Sequence, residues 1–243
     1  MVYPAHEEKI RQGIKYAGTG SARAKMLSKD EVLKRAHDIG VIGIFRVDSP
    51  EDCFKAMDAL REGGLNALEV TTTTPNAIEV VRKARETYGD EVLLGLGTVL
   101  DPETAESAIN AGAQFIVSPS VQKEVLDVCR KNNVVSIPGA FSATEVVQAW
   151  RWGADLVKIF PISQVGPGYM KALMGPLPWI RYVPTGGIEL ENAGEYIKAG
   201  AFCLGVGGGL VSKKAIAQGR FDLLTQAARD ILKAVQDARA SVK

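Results

Sequence analysis

A (β/α)8 TIM barrel with an extra N-terminal helical extension is the fold class this sequence predicts, and three observations carry the prediction. Eight short apolar runs alternate with amphipathic segments along residues 28–243. Strands separated by helices pair in parallel, and strands buried on both faces read as continuous apolar runs. A glycine-bearing turn also precedes four of the runs, at Glu62-Gly63-Gly64, Asn110-Ala111-Gly112-Ala113, Arg151-Trp152-Gly153-Ala154 and Lys198-Ala199-Gly200-Ala201. Glycine suits such places because a helix commonly ends on a left-handed residue. Finally, 243 residues of 46% hydrophobic composition suit one large core. A doubly wound open sheet has the same alternation but usually needs fewer strands.

Residues 1–27 are polar and basic; a short amphipathic helix is expected over 5–17 and a linker over 18–27, around Gly18-Thr19-Gly20-Ser21. The acidic pair in His6-Glu7-Glu8 argues against a transit peptide, and there is no apolar stretch for a signal peptide. The single domain, 28–243, opens with a capping box, Ser28 followed by Glu31, and Val32, Leu33, Ala36 and Ile39 continue an apolar face. Strands are expected at 41–46, 67–71, 92–95, 115–118, 134–137, 155–160, 181–184 and 203–207. Helices are expected near 50–62, 75–88, 102–111, 121–132, 143–152, 167–174, 190–199 and 221–239.

The formal charge of +1, with no block of like charge, predicts a small-molecule partner and no nucleic acid. No run approaches the roughly 20 apolar residues that span a bilayer, so no membrane partner is expected. Cys53, Cys129 and Cys203 are odd in number and lack paired spacing, which predicts reduced thiols and a cytoplasmic setting.

In such barrels the reactive residues gather at the C-terminal ends of the strands. There the sequence offers Arg46, Glu69 with Thr71 and Thr73, Thr98, Ser118-Pro119, Pro138-Gly139, Lys158, Thr185-Gly186-Gly187 and Gly207-Gly208-Gly209. Lys158 lies in Asp155-Leu156-Val157-Lys158-Ile159-Phe160-Pro161, an apolar run where desolvation disfavours an ammonium and favours a nucleophilic amine. The plainer alternative is a lysine that snorkels to the strand end. A lysine and a carboxylate are the minimum kit for Schiff-base chemistry, in which the amine attacks a ketone and an acid/base moves protons. A metal site is poorly supplied, because His6 and His37 both lie outside the strand-end set. The two glycine turns follow the seventh and eighth runs, where barrels commonly bind phosphate through backbone N–H groups.

These residues resemble the family of 2-keto-3-deoxy-6-phosphogluconate (KDPG) and 4-hydroxy-2-oxoglutarate (KHG) aldolases, class I enzymes, over roughly residues 30–240. The resemblance rests on Leu68-Glu69-Val70-Thr71, Gly95-Leu96-Gly97-Thr98-Val99, Ala113-Gln114-Phe115-Ile116-Val117-Ser118-Pro119, Ile137-Pro138-Gly139, Val157-Lys158-Ile159-Phe160-Pro161 and Pro184-Thr185-Gly186-Gly187-Ile188. It implies an imine on Lys158 and Glu69 as general acid/base. Thr98 would contact the keto-acid carboxylate, Pro119 would shape the pocket and Thr185 would contact the substrate chain. Gly186, Gly187, Gly207 and Gly208 would offer backbone N–H groups to a distal phosphate, and Arg46 would lie beside the substrate, its alternative being a rim ion pair. Two positions depart from the family pattern. Thr73 stands where some members carry a carboxylate-clamping arginine, so Arg46 or hydroxyls must substitute. Gly208 stands where a serine is often found, leaving backbone donors only.

The implied reaction is cleavage of the keto-acid sugar phosphate KDPG to pyruvate and glyceraldehyde 3-phosphate, an Entner–Doudoroff step, with no cofactor and no metal, in a homotrimer. The alternatives are the KHG reaction and that of 2-dehydro-3-deoxy-6-phosphogalactonate, toward which Gly166-Pro167-Gly168-Tyr169-Met170-Lys171-Ala172-Leu173 points. A sugar-phosphate sensor without turnover is the non-enzymatic alternative, and it would need neither amine nor proton shuttle.

Overall fold

The computed structural model describes residues 27–242, so the helix and linker expected over 5–17 and 18–27 lie almost wholly outside the described residues. The first helix, α1 (Lys29–Ile39), begins where the capping box places it: Ser28 Oγ accepts from the Glu31 N–H while the Glu31 carboxylate accepts from the Ser28 N–H. It ends on Gly40 at φ 78°, a left-handed position that glycine adopts without a Cβ clash.

Strands and helices then alternate: β1 (Val41–Phe45), α2 (Pro50–Glu62), β2 (Ala67–Thr71), α3 (Ala77–Tyr88), β3 (Leu93–Gly97), α4 (Pro102–Asn110), β4 (Phe115–Val117) and α5 (Lys123–Lys131). There follow β5 (Val135–Ile137), β6 (Gly139–Ala140), α6 (Ala143–Arg151), β7 (Val157–Ile159), α7 (Gly166–Met174), β8 (Tyr182–Pro184), α8 (Leu190–Lys198), β9 (Leu204–Val206), α9 (Lys213–Ala217) and α10 (Phe221–Ala240). Ser49 and Asp101 cap α2 and α4, each with a proline in the first turn, where its missing N–H costs nothing. The glycines expected to close helices at 64, 112, 153 and 200 all have positive φ. The short helix α9 was not foreshadowed by periodicity, being only five residues long.

All strand pairs are parallel. They form a curled sheet in the order β5-β4-β3-β2-β1-β9, continued by β6-β7-β8. The fifth expected strand, 134–137, appears as Val135–Ile137 paired with β4, and past Pro138 the chain forms a further short strand, Gly139–Ala140, paired with β7. Proline has no N–H for the ladder, but its carbonyl still accepts from Lys158 N at 2.9 Å, and Ser136 O accepts from Leu156 N at 3.2 Å. On the far side Thr185 bridges Gly205, and Phe202 N donates to Tyr182 O at 2.9 Å. Hydrogen bonds therefore join the two sheets at both seams.

Side chains alternate along each strand. Val41, Phe45, Leu68, Val70, Val157, Ile159 and Tyr182 face outward and pack with the helices. Ile42, Ala67, Leu93, Phe115, Val135, Leu156 and Val183 face the other way and fill the lower interior, which Val32, Leu33 and Ala36 of α1 close from below. Lys29 fixes that plug through Asp155 at 2.9 Å, and Asp155 also accepts from Ser136 N and Oγ. The three cysteines are free and buried, and burial pushes each thiol up to about 12.

Candidate active site

Moving two residues along the inward face of each strand changes the chemistry from apolar to polar. Ala67 leads to Glu69, Leu156 to Lys158, and Val183 to Thr185, by the two-residue period of a strand. Glu69 and Lys158 are thus held in the middle of the curl, 3% and 5% exposed. The sequence brings them there by different routes: Glu69 is central in a five-residue strand, Lys158 central in a three-residue one.

Room for the carboxylate comes from glycine. A methyl group on Gly97 would lie 1.8 Å from Glu69 Oε1, and one on Gly95 would lie 2.2 Å from the Phe115 ring. The two inward glycines of β3 therefore accommodate one aromatic ring below and one carboxylate above. A Cβ on Gly139 would likewise meet the Pro119 carbonyl at 2.3 Å, so Pro119 packs directly on the divided strand.

Burial pushes the Glu69 carboxyl up from its ordinary range, and the charges of Lys158 and Arg46 pull it back. For Lys158 burial pushes the ammonium down, opposed by Glu69 and reinforced by Arg46. Among the described residues the two make no direct ion pair, although each feels the other's charge. Lys158 Nζ instead sits 4.9 Å from the centre of the Phe160 ring, a cation–π placement. Phe160 lies two residues beyond Lys158 and so shares its face. That spacing was readable in Val157-Lys158-Ile159-Phe160, but nothing in it marked the ring as a partner of the amine.

Arg46 follows β1, is exposed, and forms no ion pair among the described residues. It lines a groove of about 350 Å³ with Gly207, Gly208, Ser212 and Lys213. Thr185 is buried, and its hydroxyl fills the space that a side chain on Gly205 would need. Gly186 and Gly187 follow at φ 92° and 76°, against Phe160 and Ser163 respectively. The two glycine turns therefore have different neighbours.

Thr98 has φ 62°, uncommon for a β-branched residue, and its carbonyl accepts from Thr72 Oγ1 at 3.0 Å. Thr73 is exposed, and its hydroxyl lies 2.7 Å from that of Thr71. Because Thr71 Oγ1 donates to the Phe45 carbonyl, its one proton is spent, and Thr73 is the donor of the pair. No group of three or more metal-ligating side chains exists among the described residues.

The protein is thus a parallel α/β scaffold that holds a desolvated lysine and a carboxylate within its curl, an arrangement of the enzyme type. More particularly, the chain belongs to the KDPG and KHG aldolase family, whose sequence signature matches residues 30–227. It is 39% identical to the 2-dehydro-3-deoxy-phosphogluconate aldolase of Treponema pallidum over 86% of this chain and 99% of that one. It is 34% identical to the 2-dehydro-3-deoxy-6-phosphogalactonate aldolase of Escherichia coli over 70% of this chain and 83% of that one. Among solved structures it resembles the KDPG aldolase of Legionella pneumophila with pyruvate captured as a covalent carbinolamine, at 32% identity and a TM-score of 0.76, covering 82% of this chain and 96% of that one.

Proposed function

We propose that the protein is a class I aldolase that cleaves KDPG to pyruvate and glyceraldehyde 3-phosphate through an imine on Lys158. The observation that carries this reading is the desolvated amine of Lys158 in the field of buried Glu69. As a neutral amine Lys158 adds to the C2 ketone, and loss of water from the carbinolamine leaves an iminium. That cation takes up the electron pair of the C3–C4 bond as it breaks, while Glu69 accepts the C4 hydroxyl proton, directly or through water. Glyceraldehyde 3-phosphate leaves; Glu69 returns the proton to C3 of the enamine, and hydrolysis of the iminium frees pyruvate and Lys158.

In the same reading Thr98 holds the keto-acid carboxylate, Pro119 walls the pocket, Thr185 contacts the chain, and Arg46 lies beside the substrate. Thr73 supplies a hydroxyl in place of a guanidinium fork. Backbone N–H groups of Gly186, Gly187, Gly207 and Gly208 face the phosphate end. The galactonate epimer is the second reading, supported by the E. coli relative. Comparing kcat/KM for the two epimers decides between them.

Hydrogen bonds at both seams support describing the sheet as a closed (β/α)8 barrel with its fifth strand divided. Trp150 and Trp179 are 46% and 56% exposed with ring centres 5.8 Å apart; this pair supports a homotrimer face, checked by sedimentation. The three free thiols support a cytoplasmic enzyme. The direct test of the chemistry is incubation with pyruvate and borohydride. A reduced pyruvate adduct on Lys158 is the expected product by mass spectrometry, and an unmodified Lys158 would overturn the mechanism.

A further inference from the structure

We propose that Lys213 is a specificity residue for the phosphate end of the substrate, supplying the side-chain donor that Gly208 lacks. The inference rests on the reading that the substrate carries a distal phosphate, and it assigns a role to a residue the motifs did not mark. Lys213 shares the groove of about 350 Å³ with Arg46, Gly207 and Gly208. Arg46, which lines this groove, is close enough to Glu69 and Lys158 for its charge to act on both. A Cβ built on Gly208 would meet nothing within 4 Å. Gly208 is exposed and the space beside it is open, so a phosphate oxygen can approach the Gly207–Gly208 backbone closely.

Backbone N–H groups alone leave a phosphate dianion without a counter-charge. Lys213 supplies one, and its present partner is easily exchanged. Its Nζ lies 2.9 and 3.3 Å from the two carboxylate oxygens of Asp48, with side chains 62% and 88% exposed. Ion pairs so open to water contribute little, whereas a phosphate against a lysine and oriented N–H groups makes charge-assisted hydrogen bonds. Asp48 thus holds Lys213 at the groove in the free enzyme and competes with the phosphate for it.

The test is the ratio of kcat/KM for KDPG to that for unphosphorylated 2-keto-3-deoxygluconate, a quantity insensitive to the fraction of enzyme folded. Lys213→Ala is expected to lower the ratio about tenfold, mainly through KM for the phosphorylated substrate, and Lys213→Arg to restore most of it. Asp48→Asn is expected to raise the ratio. Inorganic phosphate should inhibit the wild type competitively and Lys213→Ala more weakly. A high wild-type ratio left unchanged by Lys213→Ala overturns this assignment alone. A wild-type ratio near one overturns it together with the phosphate reading beneath it.

Discussion

Lys158 and Glu69 titrate away from their ordinary values in opposite directions, and burial is the leading cause for both. The amine that attacks the ketone must be neutral, so the ascending acid limb of kcat/KM is expected to have its midpoint at a pH below 10.5, the ordinary lysine value. Since Glu69 holds the lysine pKa up, Glu69→Gln is expected to move that limb to lower pH while reducing kcat strongly; an unmoved limb would uncouple the two groups. The same shifts bear on stability. The depressed Lys158 contributes most above 10.5 and loses that contribution as pH falls through its folded value. The raised Glu69 contributes most below 4.5 and loses it as pH rises through its folded value. Between 4.5 and 10.5 both groups carry a desolvation cost, so Lys158→Met is expected to raise the melting temperature at neutral pH while abolishing the pyruvate adduct.

Neighbouring strands divide the interior between them, and β2 with β3 shows the rule most plainly. Glu69 is in register with Gly95, and Thr71 with Gly97, so the carboxylate leans over glycine at the next level. A methyl group at Gly97 cannot share that space. Gly97→Ala is expected to lower kcat by roughly 10²-fold through displacement of Glu69, with the Lys158 adduct still trappable; unaltered kcat would mean that the carboxylate has another place to go. The alternation, the capping box at Ser28 and the helix-ending glycines made most elements legible in the sequence, because each reflects a local backbone requirement. The division at Pro138, the spent hydroxyl of Thr71 and the ring beside Lys158 were hidden, because each depends on which strand becomes the neighbour. Gly95 and Gly97 were visible as a motif, but their reason, an aromatic ring and a carboxylate pressed into the missing side chains, appears only with Phe115 and Glu69 in place. Lys213 escaped notice for a different cause: it belongs to a helix of five residues, too short for a periodic signal.

On the scale of the whole molecule, α1 closes the apolar interior from below, among the described residues. Cys203 belongs to that interior cluster, whereas Cys53 and Cys129 belong to the layer between sheet and helices. With all three thiols buried and pushed up to about 12, none is expected to react with a thiol reagent at neutral pH until the protein unfolds. Titration before and after denaturant checks this, and rapid labelling of the native protein would mean that one layer opens on its own.

The seam at Pro138 places the two reactive groups on different sheets: Glu69 belongs to the six-stranded one and Lys158 to the three-stranded one. Neither sheet alone possesses a working pair. The proposed catalytic pair is in this sense a coincidence detector, silent in either half, so that turnover of a single substrate molecule would certify that the two sheets have met.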